Sequence, residues 1–272
     1  MSRLDAAFSK EHPLLLAGCG RMGGALARAW LAAGLGREAL VVLDPLAEAP
    51  DGVAAERDAD ALRGRITPRA IVLAVKPQAA SDALDALAPL TGKDCLLLSI
   101  AAGVRLERLV RVSERSVRAM PNTPAAIGRG ITALVASEKT EAGDRALAEL
   151  LMSAGGATLW LDNESDMDAV TALSGSGPAY VFALVEAMAG AGAALGLSPA
   201  IADRLARATV VGAAALMDAD DRPALVLREE VTSPKGTTEA ALECLLRDGG
   251  LPALIREAMA AAAARSRALS GT

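Results

Sequence analysis

The first half of the chain alternates short apolar runs with amphipathic segments such as GGALARAWLAAGL, and this alternation restricts the fold more than any other feature. The runs are rich in Leu, Ile and Val on both faces, which is typical of parallel strands covered on each side by helices. We therefore predict an α/β fold with a doubly wound sheet. Its predicted strands are 13–17, 40–43, 71–75, 95–99, 117–119, 132–135 and 157–161.

The second half of the chain changes to helical patterns from Asp162 onward. Pro178 and Pro199 lie where helices are expected to begin, and Ser198 is of a residue type that caps helices. We predict two domains, an α/β domain over 1–162 and an all-helical domain over 163–272. The predicted helices are 164–172, 178–196, 199–218, 222–230, 235–247 and 250–269.

Three glycines, Gly190, Gly192 and Gly196, interrupt the pattern of one of these helices. Each glycine costs about 1 kcal/mol of helix stability relative to alanine. Close helix–helix approach, within one subunit or across an interface, is the simplest compensation. We expect this helix to pack at a subunit interface and the protein to be at least a dimer.

Composition argues against several kinds of partner. The 272 residues carry a net charge of −5, so the chain has no basic field for nucleic acid or an anionic membrane. The only aromatic residues are two Trp, one Tyr and two Phe, which are too few for a base-stacking platform. The longest charge-free stretch, 169–185, contains SGSGP, which we expect to interrupt a membrane-spanning helix.

The cysteines lie far apart in sequence and show no CxxC spacing, so neither a zinc site nor a disulfide framework is expected. The N-terminal segment carries Asp5 and Glu11 and has no apolar stretch of its own, so we expect no signal peptide. These features predict a soluble cytoplasmic protein without a bound metal.

The stretch AGCGRMGG, residues 17–24, places Gly18, Gly20 and Gly23 between a predicted strand and a predicted helix. Glycines at this spacing permit a tight turn and let a pyrophosphate approach the helix N-terminus. Asp44 follows the second predicted strand, where an acid can bind a ribose. The pattern favours a dinucleotide site, and the alternative is a glycine-rich turn without a ligand.

Three further loops follow predicted strands. AVKPQ (74–78) and SIAAG (99–103) come after the third and fourth strands, at the sheet edge where ligands bind in open α/β folds. Lys76 is equally well explained as an ordinary surface lysine. MPNTP (120–124) forms a rigid turn, and its composition does not distinguish a binding turn from a structural one.

SGSGPAY (174–180) leads into the glycine-bearing helix and offers hydroxyls and backbone N–H groups near its positive end. It lacks the GxSxG pattern of a hydrolase nucleophile. The only histidine, His12, precedes a proline near the start of the chain, where we expect it to be solvated. Catalysis through a Ser-His or metal-His arrangement is therefore not expected, and a cofactor must carry the chemistry.

VTSPKGTTEA (231–240) predicts a helix start, because Ser233 can cap and Pro234 suits the first helical position. One cap needs a single hydroxyl, yet this stretch also offers Thr232, Thr237 and Thr238. The surplus raises the question of whether it binds a small anion.

Taken together, GCGRMGG, AVKPQ, SIAAG, MPNTP, SGSGPAY and VTSPKGTTEA resemble the Δ1-pyrroline-5-carboxylate reductases in order and approximate spacing, over about 14–268. The last three motifs together are specific to that family. The resemblance implies reduction of 1-pyrroline-5-carboxylate to L-proline with NADPH or NADH, the final step of proline biosynthesis. It also implies a dinucleotide-binding Rossmann domain over 1–162, and a substrate-binding domain over 163–272 that intertwines in a homodimer, often within larger rings.

The resemblance also implies roles for particular residues, with Thr238 as the catalytic residue that hydrogen-bonds the imine nitrogen. The substrate-binding residues implied are Ser174, Gly175, Ser176, Gly177, Ser233, Gly236, Thr237 and Thr238. The cofactor-binding residues implied are Gly18, Gly20, Arg21, Met22, Gly23, Asp44, Val75, Lys76, Pro77, Ala101, Gly103, Met120, Pro121 and Asn122.

Some positions depart from the usual family pattern. Arg21 stands where asparagine is common, and Lys235 stands where many members have glycine. Many relatives favour NADPH, whereas the carboxylate of Asp44 suits the ribose hydroxyls of NADH and repels a 2′-phosphate. We therefore expect a preference for NADH with tolerance of NADPH.

Two other interpretations stay open at this point. One is a different reductase on the same architecture, such as a β-hydroxyacid dehydrogenase or another imine reductase. The first of these would need a proton donor such as lysine in the helical domain, and 163–200 contains no lysine. The other is a non-catalytic dinucleotide-binding regulatory protein, which would not need the SGSGP and SPKGTT stretches.

Overall fold

A computed structural model of the chain describes residues 3–46 and 48–270. Its sheet has eight strands in the order β3-β2-β1-β4-β5-β6-β7-β8. Neighbouring strands are parallel except for β6 and β7, which are antiparallel. The strands are β1 (Leu14–Ala17), β2 (Leu40–Leu43), β3 (Ala54–Glu56), β4 (Ala70–Leu73), β5 (Leu96–Ser99), β6 (Ser116–Met120), β7 (Gly130–Ala136) and β8 (Gly156–Trp160).

The predicted doubly wound sheet is confirmed, and β3 is the strand that the sequence did not reveal. Its three residues, AAE, carry no apolar alternation because this edge strand is largely exposed. By contrast, β1, β4 and β5 are buried along their whole length, which explains their continuous apolar sequences. The strand order reverses on passing from β1 to β4, so the switch point of the sheet lies there.

Helices pack on both faces of this sheet, and further helices follow its last strand. They are α1 (Arg3–Ala7), α2 (Arg21–Ala32), α3 (Ala80–Leu87), α4 (Leu106–Leu109), α5 (Ala142–Ser153), α6 (Met167–Val170), α7 (Gly177–Ala194), α8 (Pro199–Asp218), α9 (Ala224–Glu230), α10 (Thr237–Leu246) and α11 (Leu251–Ser270). On one face, Trp30 of α2 is fully buried and its indole N–H donates to the carbonyl of Leu151 at 2.8 Å. This bond joins α2 to α5 beneath the sheet.

The chain forms two compact units. The first comprises Met1–Ser176 together with Ala262–Thr272, and the second comprises Gly177–Ala261. Helix α11 therefore begins in the second unit and ends in the first. The boundary that the sequence predicts, between 162 and 163, stays a prediction of where the folding domains separate.

The expectation that SGSGP interrupts the helix was wrong, because the helical run continues from Glu164 to Ala194. A π-helical turn, Thr171–Gly175, accommodates the serines and glycines between α6 and α7. This run of 31 residues is long and apolar enough to cross a membrane by length and composition. None of the α7 residues is buried within the single chain, which leaves its apolar side chains available to a partner.

The three glycines of the α7 pattern have separate roles. A Cβ on Gly192 would lie 3.3 Å from the Cβ of Ala202, so Gly192 permits close packing against α8 of the same chain. Gly190 faces open space within the chain. Gly196 was wrongly placed within the helix, because it lies beyond the end of α7 with φ +100, where glycine is favoured.

Candidate active site

The glycine loop packs against the loop that follows β4. Gly18 has φ +97, and a Cβ there would lie 2.7 Å from the carbonyl oxygen of Ala74. Neither the backbone angle nor the space allows another residue at Gly18. Gly20, in contrast, has no neighbouring atom within 4 Å of a Cβ position and is exposed. The loop is therefore packed against the protein at Gly18 and exposed to solvent at Gly20.

The N-terminus of α2 fits the pyrophosphate of a dinucleotide. Gly20 is the N-cap and provides no side-chain cap, so the N–H groups of the first turn face outward without a protein cap. That turn holds no acidic residue and begins with the exposed Arg21. The positive end of the helix dipole and an open, glycine-lined approach together form an anion site.

Asp44 follows β2 and contacts the glycine loop. Its Oδ2 accepts a hydrogen bond from the backbone N–H of Cys19 at 2.7 Å, and its Oδ1 accepts one from Leu46 at 2.8 Å. Burial raises the pKa of the Cys19 thiol, and the Asp44 carboxylate raises it further. Asp44 thus supports the loop. Its role toward the ribose stays a prediction.

Backbone hydrogen bonds connect the loops at the carboxyl edge of the sheet. Gly18 donates to Leu43 at 2.9 Å, Ala74 donates to Ala17 at 2.7 Å, and Ile100 donates to Leu73 at 2.9 Å. AVKPQ and SIAAG therefore flank the glycine loop, as the strand order predicts.

Two side chains of these flanking loops differ in exposure. Lys76 is exposed and directly precedes the short 3₁₀ turn that begins at Pro77. Ala101, in the SIAAG loop, is buried. A cofactor lying along this edge would meet a charged side chain on one loop and a small apolar surface on the other.

MPNTP and SGSGP meet in the structure. The Cε atom of Met120 lies 2.7 Å from the position of a Cβ on Gly175, so glycine is needed there unless the methionine moves. Asn122 is nearly buried, and its Oδ1 accepts a hydrogen bond from Ile131 at 3.0 Å. This bond joins the turn to strand β7.

The serine side of this contact is the π-helical turn. Ser176 donates its N–H to the carbonyl of Thr171 at 2.9 Å, and the Ser174 hydroxyl donates to Val170 at 3.1 Å. Single π turns within α-helices occur frequently at functional sites. The π turn places the segment 174–176 next to Met120, and the helix continues beyond it.

The interpretation of VTSPKGTTEA as a helix capped by Ser233 was wrong. Helix α10 begins at Thr237 with Gly236 as its N-cap. A tight turn precedes it, because the N–H of Gly236 donates to the carbonyl of Ser233 at 3.0 Å and Lys235 has φ +59. Pro234 therefore lies within this turn and not at the first helical position.

The first turn of α10 retains donors for an anion. Thr237 and Thr238 occupy its first two positions, where backbone N–H groups have no helical acceptor. The Lys235 N–H donates to Glu239 Oε2 at 2.6 Å, so this carboxylate oxygen binds the turn that precedes the helix. The Thr232 hydroxyl donates to the carbonyl of Arg228 at 2.6 Å, so this hydroxyl is hydrogen-bonded within its own loop.

The two compact units divide the predicted site residues between them. Gly177, Ser233, Gly236, Thr237 and Thr238 belong to the second unit, and all the others belong to the first. Among the residues that the structure describes, no group of three or more His, Cys, Asp or Glu side chains could hold a metal ion. His12 is exposed, and its Nδ1 lies 3.2 Å from the carbonyl oxygen of Thr67.

Sequence reasoning missed an ion pair between a buried arginine and a half-buried glutamate. Arg118 of β6 is 5% exposed and donates to Glu164 Oε1 at 2.9 Å, and the same oxygen accepts the N–H of Leu106 at 2.8 Å. The pair anchors the start of the segment that leads to the π turn. An arginine within an apolar strand was the signal that could have revealed it, because a buried charge requires a partner.

The comparisons with known proteins agree with this geometry. The model of the family described as pyrroline-5-carboxylate reductase dimerisation matches residues 164–269. The model described as NADP oxidoreductase coenzyme F420-dependent matches residues 14–103. The helical segment is therefore a dimerisation domain, and the protein is a homo-oligomer.

Individual relatives match almost the whole chain. A pyrroline-5-carboxylate reductase of Pseudomonas aeruginosa is 40% identical over 260 residues, covering 93% of this chain and 95% of that protein. The solved pyrroline-5-carboxylate reductase of Coxiella burnetii superposes with a TM-score of 0.84 at 32% identity, covering 96% of this chain and 100% of the other. That of Plasmodium falciparum with NADP bound gives 0.83 at 29% identity, covering 96% and 99%. The chain belongs to the pyrroline-5-carboxylate reductase family, whose members are oxidoreductases.

Proposed function

We propose that this protein reduces 1-pyrroline-5-carboxylate to L-proline with NADH or NADPH. The observation that carries the proposal is the meeting of the family's loops at one sheet edge. There the glycine loop packs on the AVKPQ loop, and Met120 contacts Gly175. A site of this kind provides a surface for a dinucleotide and a small pocket beside it.

The substrate has one carboxylate and one imine nitrogen. We assign the carboxylate to the N-terminal turn of α10, where the N–H groups of Thr237 and Thr238 carry the positive end of the helix dipole. The Ser233 side chain lies beside this turn, since a Cβ on Gly236 would be 2.5 Å from its Oγ. Glycine at 236 keeps the backbone accessible to an anion.

The reaction requires little acid–base chemistry from the protein. A reduced nicotinamide, when bound, supplies the hydride that C5 of the imine accepts. A cyclic imine can arrive already protonated, so the nitrogen needs orientation rather than a strong acid. Thr238 would orient it through its hydroxyl. This assignment explains how the reaction proceeds although the sole histidine, His12, lies elsewhere.

The alternatives are less well supported. A β-hydroxyacid dehydrogenase would need a proton donor such as lysine in the first helices after the sheet, and residues 163–200 contain no lysine. A purely regulatory dinucleotide-binding protein would have no use for the donors at the N-terminus of α10. We further propose that the protein acts in the cytoplasm, without membrane or nucleic acid.

The proposed assembly is a dimer or a ring of dimers built on α7 and α8. Phe182 is 67% exposed and Val211 is 69% exposed within the single chain, and both line an apolar depression with Val181, Val185 and Val210. Exposed apolar surface of this kind marks an interaction site. Burying it between subunits would also account for the apolar character of the run from Glu164 to Ala194.

Turnover of pyrroline-5-carboxylate tests the proposed function directly. Purified protein should oxidise NADH or NADPH only when the cyclic imine is present, and L-proline should accumulate in equal amount. Parallel assays with a β-hydroxyacid and with an unrelated cyclic imine distinguish the alternative reductases. Cofactor binding without turnover of any of these substrates would favour the regulatory alternative.

A further inference from the structure

The last turn of α11 contacts two separate parts of the first unit. The Ser266 hydroxyl donates to Asp168 Oδ1 at 2.6 Å, and Ser266 is 4% exposed. Three residues further on, the carbonyl oxygen of Leu269 lies 3.0 Å from the position of a Cβ on Gly103, and its carbon lies 3.1 Å from it. The last turn of α11 thus lies directly against the loop that follows β5.

Both contacts involve segments already placed in the site. Gly103 closes the loop that holds Ala101; its φ of +77 disfavours a side chain, and a Cβ there would crowd the α11 backbone. Asp168 lies in α6, which leads into the π turn carrying Ser174. One helical turn therefore braces the loop on the cofactor side and the helix on the pocket side.

These contacts cannot form from local sequence alone. Ser266 and Asp168 are 98 residues apart, and α11 starts in the other compact unit. Their hydrogen bond joins a buried hydroxyl to the carboxylate of a half-buried residue, and hydrogen bonds to ionised acceptors are stronger than those between neutral groups.

We propose that Ser266 and Asp168 are positioning residues for the cofactor. Their bond holds the last turn of α11 against the 99–103 loop, so that the loop is ordered before the dinucleotide binds. A preordered loop binds its ligand more tightly because less conformational entropy is lost on binding. This inference rests on the proposed function for the identity of the ligand.

The test compares Ser266→Ala with wild-type, full-length protein. The dissociation constants for NADH and NADPH, titrated without substrate, should rise about three- to tenfold, or ~0.7–1.4 kcal/mol. The kcat at saturating cofactor should stay within about twofold. In the protein without cofactor, backbone amides of residues 100–104 should exchange faster with solvent.

Three further variants examine the bond itself. Asp168→Ala should weaken cofactor binding as much as Ser266→Ala, and the double variant should bind no worse than either single one, because both remove the same bond. Asp168→Asn keeps an oxygen acceptor and should restore most of the affinity. If Ser266→Ala does not fold, Asp168→Ala still tests the effect of removing the bond.

The control is Ser153→Ala, a serine near the end of α5 whose hydroxyl donates to Leu150 of its own helix at 3.1 Å. It should leave cofactor affinity and amide exchange unchanged. Wild-type cofactor affinity and wild-type exchange at 100–104 in folded Ser266→Ala and Asp168→Ala would overturn the inference. So would a lower kcat with unaltered cofactor affinity. A wild type that binds cofactor but does not reduce pyrroline-5-carboxylate would overturn the proposed reaction alone.

Discussion

Asp44 accepts a hydrogen bond from the backbone of Cys19, with 2.7 Å between Oδ2 and N. The residue predicted to bind the ribose is therefore also a support of the glycine loop. The second oxygen accepts a hydrogen bond from the N–H of Leu46 at 2.8 Å. Replacing Asp44 should consequently alter both the loop and the choice of cofactor.

We expect the wild type to have a higher kcat/KM with NADH than with NADPH. A carboxylate and a 2′-phosphate at ~4 Å repel by about 4 kcal/mol at an effective dielectric constant near 20, before screening and movement reduce this. Exposed Arg21 can offset part of the repulsion. Asp44→Ser should shift the ratio toward NADPH, and steady-state kinetics with both cofactors measure it.

Asp44→Asn separates the two roles of this side chain, because it removes the charge but keeps one oxygen for the Cys19 N–H. It should relax the cofactor preference while affecting overall affinity less than Asp44→Ser does. A wild type that prefers NADPH, or a ratio that Asp44→Ser leaves unmoved, would show that Asp44 does not bind the ribose.

Thr238→Ala should lower kcat/KM for the imine by about 10–100-fold, or ~1.4–2.7 kcal/mol of transition-state stabilisation. The fold should remain intact, because Thr238 is only half-buried in the first turn of α10. Thr232→Ala is the matched control, since the Thr232 hydroxyl donates to the backbone carbonyl of Arg228. Wild-type kinetics in Thr238→Ala would remove this hydroxyl from the mechanism.

Gly192→Leu should destabilise the protein or dissociate it, because the new side chain would collide with Ala202 on α8. Overpacking of this kind typically costs about 1–3 kcal/mol. Light scattering and thermal unfolding at one fixed protomer concentration measure both effects.

Gly190→Ala is the control for Gly192, since Gly190 faces open space within the chain. It should improve helix stability by up to about 1 kcal/mol. A wild type that is monomeric and fully active at assay concentration would contradict the predicted subunit interface along α7.

Lys235→Gly should raise the free energy of unfolding by about 0.5–1 kcal/mol. Lys235 has φ +59, a conformation that costs a residue with a Cβ roughly 1–2 kcal/mol, of which the flexibility of glycine in the unfolded chain returns part. Lys235→Ala removes the charge but keeps the strain, so it should show no such gain. A Lys235→Gly protein less stable than Lys235→Ala would contradict this explanation.

Thiol reagents should distinguish the cysteines. Cys244 is exposed, whereas Cys19 and Cys95 are buried, and burial raises the pKa of Cys95 to about 12. Because the thiolate is the reactive form, Cys95 should stay unmodified from about pH 7 to about pH 9. Mass spectrometry after brief maleimide treatment should find the label on Cys244. Rapid labelling of Cys95 in folded protein would contradict its assigned burial.

Local chemistry was sufficient to predict much of the fold and several loops of the site. Strand β2 and helix α8 have the bounds that periodicity and the Ser198-Pro199 pair predict. The glycine loop could be recognised because Gly18 and Gly23 serve backbone needs that few other residues meet. Such signals lie within one turn or one strand, so the sequence carries them without reference to the rest of the molecule.

Other features were set by local backbone geometry that the residue types did not reveal, or by contacts between distant segments. Ser233 does not cap α10, because the chain first turns through Lys235, whose backbone is in the left-handed conformation. SGSGP does not end its helix, because a π turn accommodates it. The bonds from Ser266 to Asp168 and from Cys19 to Asp44 join segments that no local pattern pairs. The sequence by itself determined the α/β order and the loop chemistry, because backbone propensities act over a few residues. Only the tertiary structure decided which side chains support those loops, because packing selects partners by distance in space and not along the chain.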